Sequence, residues 1–174
     1  LDEALSRVVI DLLGAVNGVL PSTEGKRKAY KRTEQQRWYA GETISLGIGQ
    51  GYNNFTMLQI AHAMATLAGG GVKHTPHLTL ARRDPITGER QALPKPEGVP
   101  LGYQPAHLQA VLSAMQAVTT EGTSARVFAG AGYTSGGKTG TAQAVTIGQR
   151  ERYDAKKLEE HQRDHSLYVA FAPA

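Results

Sequence analysis

Apolar residues recur at helical spacing in two stretches of this chain and alternate with polar ones in two others. In "TMLQIAHAMATLAGGG", Met57, Ile60, Ala61, Met64 and Leu67 fall on one stripe, which predicts a helix over Thr56–Ala68. Thr56 and Gln59 stand three apart at its start, the spacing of a capping box, and Gly69, Gly70 and Gly71 end it. Leu108, Val111, Leu112, Met115 and Val118 predict a second helix over Pro105–Thr119, with Pro105 suited to the first turn. "EGTSARVF" predicts a turn and a short helix. Lys138–Thr146 and Ser166–Ala172 read as strands, separated by a charged excursion, and are expected to pair as antiparallel neighbours.

The polar stretches are punctuated differently. "RVVIDLLGAVNGVL" is strand-like at first and then rich in turn residues. "EGKRKAYKRTEQQR" carries Lys26, Arg27, Lys28, Lys31 and Arg32 and is expected to be a solvated surface segment. A nucleic-acid reading of that run is the weaker one, because charge runs are usually solvated faces. "ISLGIGQGYNN" reads as a glycine-rich loop whose glycines at 47, 49 and 51 do not match a dinucleotide fingerprint. "VKHTPHLTLARR" reads as a loop leading into a strand, and "DPITGERQALPKPEGVPLG" as an extended surface connection. "RYDAKKLEEHQRDH" reads as a short charged helix or helical loop.

Composition narrows the class. The chain has 174 residues, 40% hydrophobic and 20% charged, which suits one globular domain. A net charge of +4 is mildly basic and does not establish nucleic-acid binding. No cysteine is present, which excludes disulfides and thiolate metal sites. No apolar run approaches the roughly 18 residues of a membrane span. No signal peptide is visible. Leu1 is not a natural start and "VAFAPA" breaks off on a strand, so a piece of a longer protein is expected.

"GYTSGGKTGTAQ", Gly132–Gln143, carries the candidate chemistry and reads in three ways. From Gly132 to Thr139 it matches G-x-x-x-x-G-K-T, a nucleotide-binding P-loop. That needs a buried strand before it and a helix at Lys138-Thr139, but "VFAGAGYTS" is glycine-rich and Gly140 sits in the would-be first turn. Asp11 in "VVID" imitates a Walker B strand, yet lies upstream, the unusual order. Ser135 and Lys138 match S-x-x-K, a serine nucleophile with a lysine base one helical turn away, but two glycines between them make a poor helix. Third, Lys138-Thr139-Gly140 followed by Thr141 is K-T-G-T on a strand beside a cleft. Alternation puts Lys138 and Gly140 on one side and Thr139 and Thr141 on the other. The ammonium would attract a carboxylate, and Gly140 would let a substrate backbone come close. A backbone N–H just after the triad would face a developing oxyanion.

"KTGTAQ", "GIGQGY", "LQIAHAMATLAGGG" and "RDHSLYVAFAPA", in that chain with those gaps, together resemble the C-terminal half of a class B penicillin-binding protein transpeptidase domain. "DLLGAVNGVLPS", "WYAGETISLGIGQG" and "RYDAKKLEEHQRDHSLYVAFAP" are similar to the elongation-specific type. The resemblance runs from about Val9 onward. It implies an α+β fold, an antiparallel sheet with helices on its faces, serine β-lactamase-like and incomplete in this chain. Residues 1–174 would then be the C-terminal portion of one transpeptidase domain. It implies D,D-transpeptidation of peptidoglycan stem peptides through a serine acyl-enzyme that β-lactams block.

By the same resemblance, Lys138, Thr139 and Thr141 would contact the substrate or β-lactam carboxylate. The Thr141 N–H would be half of the oxyanion hole, and 144–163 would border the cleft. No cofactor and no metal are implied. Elongation, cell-shape and glycosyltransferase partners are implied, as are a periplasmic setting and an N-terminal inner-membrane anchor outside this chain. The chain departs from the pattern in lacking a second S-x-x-K and any S-x-N, so the nucleophile is expected upstream. "LDEALSRVVID" lacks an expected glycine-rich stretch, and Met57 stands where this type usually has proline. A non-catalytic module on the same scaffold is the alternative.

The remaining candidates read mainly as structural. His161 and His165 stand at i, i+4, a metal-pair spacing on a helix, but position 162 is Gln rather than the Glu of a zinc protease. His74 and His77 flank Thr75-Pro76 in a loop. Asp164 is expected to fix the loop before the last strand. Ser124 and Arg126 are expected behind the active site or at a helix start.

Overall fold

The computed structural model describes residues 17–142, 144, 154, 156 and 158–174. The start of "RVVIDLLGAVNGVL", Asp11, positions 143, 145 and 146 of the first expected strand and most of the excursion after it lie outside the described residues. Val19 forms an antiparallel bridge with Asn54, its N–H donating at 2.7 Å.

Helices come first. α1 spans Thr23–Ala29, α2 Thr33–Gln36 and α3 Ala40–Gly47. The charged run expected to be a solvated segment is therefore two short helices. Ser22 caps α1 by accepting from the Gly25 N–H at 3.0 Å. Lys26 is buried, 8% exposed, which also corrects its place in the basic run. Its ammonium pairs with Glu42 on α3, donates to the Arg37 carbonyl at 2.8 Å and lies over the rings of Tyr39 and Tyr52. A lysine leaves water only when such partners replace its hydration. Part of the expected glycine-rich loop, Ile44–Gly47, is the end of α3 rather than loop.

α4 is Met57–Ala68, and its capping box is present. The Gln59 N–H donates to Thr56 Oγ1 at 3.2 Å, and the Thr56 N–H donates to Gln59 Oε1 at 2.8 Å. Gly70 and Gly71 take φ near +76° and +80°, and the Gly71 N–H closes on the Thr66 carbonyl at 2.8 Å, which stops the helix. The buried positions of α4 are Gln59, His62, Met64 and Thr66, while Met57 is 56% exposed. The helix therefore turns a partly polar face inward. His62 and Thr66 afford this because each has a partner: His62 Nε2 lies 2.5 Å from the His74 carbonyl, and Thr66 Oγ1 donates to the His62 carbonyl at 2.9 Å.

Two small sheets follow. β1, Val72–Lys73, pairs antiparallel with β4, Val99–Pro100. β2, Ala81–Arg83, pairs with β3, Arg90–Ala92. The stretch expected to be an extended connection thus holds a hairpin. Asp84 organises its turn, accepting from the Ile86 and Thr87 N–H groups at 2.8 Å each. Those bonds hold its carboxyl below the usual carboxylate range, the Thr87 N–H first.

α5 is Pro105–Thr120, with Pro105 in its first turn. Leu108 and Met115 are buried, as the stripe predicts, but Val111 is 46% exposed and Thr119 is buried instead. α6 is Ala125–Phe128, and Ser124 stands at its start. β5, Gly136–Ala142, and β6, His165–Phe171, form the third and longest pair, antiparallel as expected. The fold class is α+β, and its antiparallel pairing is divided among three two-stranded sheets in the described residues.

The Lys26–Glu42 pair carries a pH consequence. Lys26, then the Tyr39 N–H, holds the Glu42 carboxyl below its ordinary 4.5. A depressed carboxyl contributes stability that is present above its unfolded value and lost as pH falls through its folded value. The Glu42 carboxyl signal in an NMR titration should therefore move only below pH 4.5, and α1–α3 should loosen there. In Lys26→Met the transition should shift up toward the ordinary value.

Candidate functional site

Lys138, Thr139, Gly140 and Thr141 occupy consecutive positions in the middle of β5, all exposed. Their register partners on β6 are Val169, Tyr168, Leu167 and Ser166 in turn. Partners across a ladder share a face. One face therefore carries Thr139, Thr141, Ser166 and Tyr168, four hydroxyls. The other carries Lys138, Gly140, Leu167 and Val169. Among the described residues β5 pairs with β6 alone, so every second residue turns its N–H and C=O toward an unpaired edge. The Lys138 ammonium donates to the Thr139 carbonyl at 2.6 Å, folded along the strand it stands on.

What holds β5 in place lies at its beginning. α5 packs against β5, and α4 against β6. A Cβ on Gly136 would stand 2.6 Å from the Phe171 ring and 3.2 Å from the Gln116 nitrogen of α5. A Cβ on Gly137 would run into the Tyr168 phenol and approach the Val169 carbonyl at 3.0 Å. Gly140 differs: the nearest atom to its Cβ would be Leu167 Cβ at 3.8 Å, ordinary contact. Tyr168 is held over the strand by Phe128 of α6, ring centroids 6.1 Å apart. Thr134, two residues before β5, ties the same end to the chain after β6: its hydroxyl donates to the Ala174 carbonyl at 2.7 Å.

The competing readings of this stretch fare poorly. A P-loop needs a helix from Lys138-Thr139, and that segment is strand. Ser135 is buried, 5% exposed, immediately before β5. Three positions along an extended chain put Ser135 and Lys138 on opposite sides, so the lysine cannot serve it as a base across one helical turn.

Other candidates are placed as follows. His161 sits in a short 3-10 helix, Glu160–Gln162, 3.4 Å from Glu159, while His165 begins β6. They do not share a helix, which removes the metal-pair geometry. Among the described residues no cluster of three or more His, Asp or Glu could hold a metal ion. His77 Nδ1 lies 3.4 Å from the Thr75 carbonyl. Asp164 is half-buried directly before β6. The Ser124 N–H donates to the Val118 carbonyl at 3.0 Å, and its carbonyl accepts from Val127 and Phe128, the helix-start role.

The sequence reading passed over the aromatic cluster around Lys26. A cleft of about 240 Å³ there is lined by Leu20, Pro21, Tyr30, Trp38, Tyr52 and Asn54, among others. Hydrogen bonding with Tyr30, then burial, pushes the Tyr52 phenol up to about 12. Only the spacing of Trp38, Tyr39 and Glu42 beside a basic run hinted at it. Lys138–Thr141 contribute nothing to its lining.

The strand and the helices that flank it lie within a stretch of chain that matches a known family. Residues 17–174 match the family of the penicillin binding protein transpeptidase domain, and the chain belongs to that family. It is 35% identical over 167 residues to peptidoglycan D,D-transpeptidase MrdA of Escherichia coli, across 94% of this chain and 25% of that protein. Pseudomonas aeruginosa PBP2 has a similar structure, with a TM-score of 0.68 at 35% identity, covering 97% of this chain and 33% of that one. A chain from a peptidoglycan synthase complex that coordinates polymerization and crosslinking matches with a TM-score of 0.63 at 34% identity, covering 85% of this chain and 23% of that one. This chain thus spans about a quarter of the length of its MrdA relative.

Gly137 and Gly140 of β5 should behave differently. Gly137→Ala must displace Tyr168 or the Val169 carbonyl and should cost about 1–3 kcal/mol in denaturant unfolding. Gly140→Ala meets only ordinary contact and should cost well under about 1 kcal/mol.

Proposed function

We propose that this chain is the C-terminal portion of a single transpeptidase domain in a peptidoglycan D,D-transpeptidase. The parent enzyme cross-links stem peptides through a serine acyl-enzyme and is acylated by β-lactams. The observation that carries the reading is the position of Lys138–Thr141 on an exposed strand with one unpaired edge, in a chain of this family. An extended peptide can run along that edge through main-chain hydrogen bonds. The Lys138 ammonium supplies attraction for a carboxylate, and Thr139 and Thr141 supply hydroxyl donors to it. Gly140, which has room for a side chain in this structure, is kept bare for the ligand's approach. The Thr141 N–H serves as one donor to the oxyanion of the tetrahedral intermediate.

The chemical step needs a nucleophile that attacks the penultimate D-alanyl carbonyl and a base that takes its proton. Ser135, the serine of the one S-x-x-K match in the chain, is buried ahead of the strand and does not face Lys138 across a helical turn. The nucleophile and its lysine base are assigned to sequence outside this chain, so the fragment alone is inactive. The partners that fit are stem peptides, β-lactams, and elongation, cell-shape and glycosyltransferase proteins. The similarity to a chain of a peptidoglycan synthase complex supports the last of these. A periplasmic site with an inner-membrane anchor outside this chain fits the substrate; no described helix is long and apolar enough to cross a membrane.

Fluorescent penicillin labelling of the full-length protein, followed by mapping of the labelled peptide, tests this reading. Label is expected on a serine outside residues 1–174. In the full-length protein, Lys138→Ala should lower the second-order acylation constant by about 10- to 100-fold, the loss of one or two charge-assisted contacts. Label on Ser135, or no label, would sink the proposal.

A further inference from the structure

β5 is exposed from Lys138 to Thr141 but buried and anchored at its start, where one buried side chain bonds it to α5. Thr119, in the last turn of α5, is 6% exposed. Its Oγ1 lies 2.6 Å from the carbonyl of Ser135, the residue before β5, and 2.9 Å from the Gln116 carbonyl of its own helix. A hydroxyl has one proton, and the shorter, cross-element contact is the better claimant for it. Ser135 is itself 5% exposed, so without Thr119 its carbonyl would lose its donor in a place water does not reach. Next along the chain, Gly136 lies against the Gln116 nitrogen closely enough that a Cβ would stand 3.2 Å away. The last turn of α5 and the start of β5 thus touch backbone to backbone, with Thr119 as the bond that fixes their height. Gly122 allows the helix to end there: its N–H closes on the Ala117 carbonyl at 2.8 Å, and a Cβ would stand 2.7 Å from Val118 Cα.

We propose that Thr119 is a positioning residue for the Lys138–Thr141 strand, setting its register on α5 through the bond to Ser135. Lys138 follows Ser135 by three residues, so a shift at the start of β5 is carried directly to the ammonium and to the unpaired edge. A misplacement of reacting groups by about 1 Å can cost about 100-fold in rate. The inference rests on the transpeptidase reading for its catalytic consequence, and on geometry alone for its structural one.

The test uses full-length protein and three variants. Thr119→Val keeps the β-branched shape and removes the hydroxyl. Thr119→Ser restores the hydroxyl. Thr120→Val makes the same change one residue along, where the hydroxyl reaches only its own helix, Gln116 at 3.3 Å and Ala117 at 3.5 Å. Penicillin acylation, normalised to folded protein, should fall about tenfold in Thr119→Val. It should stay within about twofold of wild type in Thr119→Ser and Thr120→Val. Amide hydrogen exchange at Gly137–Thr141 should quicken in Thr119→Val alone. Faster exchange in Thr119→Val, with a wild type that penicillin does not label, would uphold the positioning role while the transpeptidase reading fell. A folded Thr119→Val with unchanged acylation and unchanged exchange would overturn it, as would a loss of stability with acylation per folded molecule unchanged. Should Thr119→Val not fold, Thr119→Ser carries the decision: the inference stands if acylation and exchange match wild type and falls if they do not.

Discussion

The antiparallel ladder between β5 and β6 is the constraint on which the arrangement of this chain depends. Seven consecutive register pairs run from Gly136–Phe171 to Ala142–His165. Because side chains alternate with a period of two, a slip of one residue would move Lys138 to the hydroxyl face and Thr139 to the helix face. Close packing at one end fixes that register. At the start of β5, side chains are excluded: Phe171 and Tyr168 occupy the space that a Cβ on Gly136 or Gly137 would need. A one-residue slip would put Ser135 or Lys138 against those rings. The two adjacent glycines, which weaken any helix here, are thus what the strand pairing requires.

The helices do a different job, and their interior is more polar than their sequence pattern implies. Met64, Leu108 and Met115 are the buried apolar residues described, whereas Lys26, Gln59, His62, Thr66, Thr119, Ser124 and Ser135 are buried polar ones. Several of these bind backbone: Thr66 its own helix, Thr119 the start of β5, and Gln59 the N–H of Thr56. Bonds of this kind have direction as well as strength, so they specify position where a few apolar contacts would specify only proximity. Lys26 illustrates the other side of that principle. Four groups surround its ammonium, and any one alone would not offset the loss of water.

Features written in local chemistry were legible in the sequence. The capping box at Thr56 and Gln59, the stop at Gly69–Gly71, Pro105 in its first turn and the two C-terminal strands all follow from residues within a few positions of one another. Features made by distant contacts were not. Lys26 reads as one cation among five until Glu42, Tyr39 and Tyr52 converge on it. Val111 falls on the apolar stripe of α5 yet is exposed, while Thr119, off the stripe, is buried because β5 begins beside it. The hairpin of β2 and β3 was hidden in a stretch read as extended, although Asp84 followed by Pro85, with Thr87 and Gly88, is the chemistry of the turn it makes.

The conformation of the lysine segment also decides what kind of ligand it can meet. A nucleotide phosphate is held where several successive N–H groups converge, as they do at a helix start or in a glycine-rich nest. In a strand, successive N–H groups point alternately to the two edges, so no three neighbours can reach one phosphate. β5 from Gly136 to Ala142 is such a strand, with one edge taken by β6. Its free edge offers donors and acceptors about 7 Å apart in a line, the repeat of another extended chain. The last four of the eight residues that spell a P-loop, Gly136–Thr139, are therefore extended, a geometry that suits a peptide edge rather than a phosphate. On the proposed reading, the cation at Lys138 would meet an extended ligand that carries one terminal negative charge.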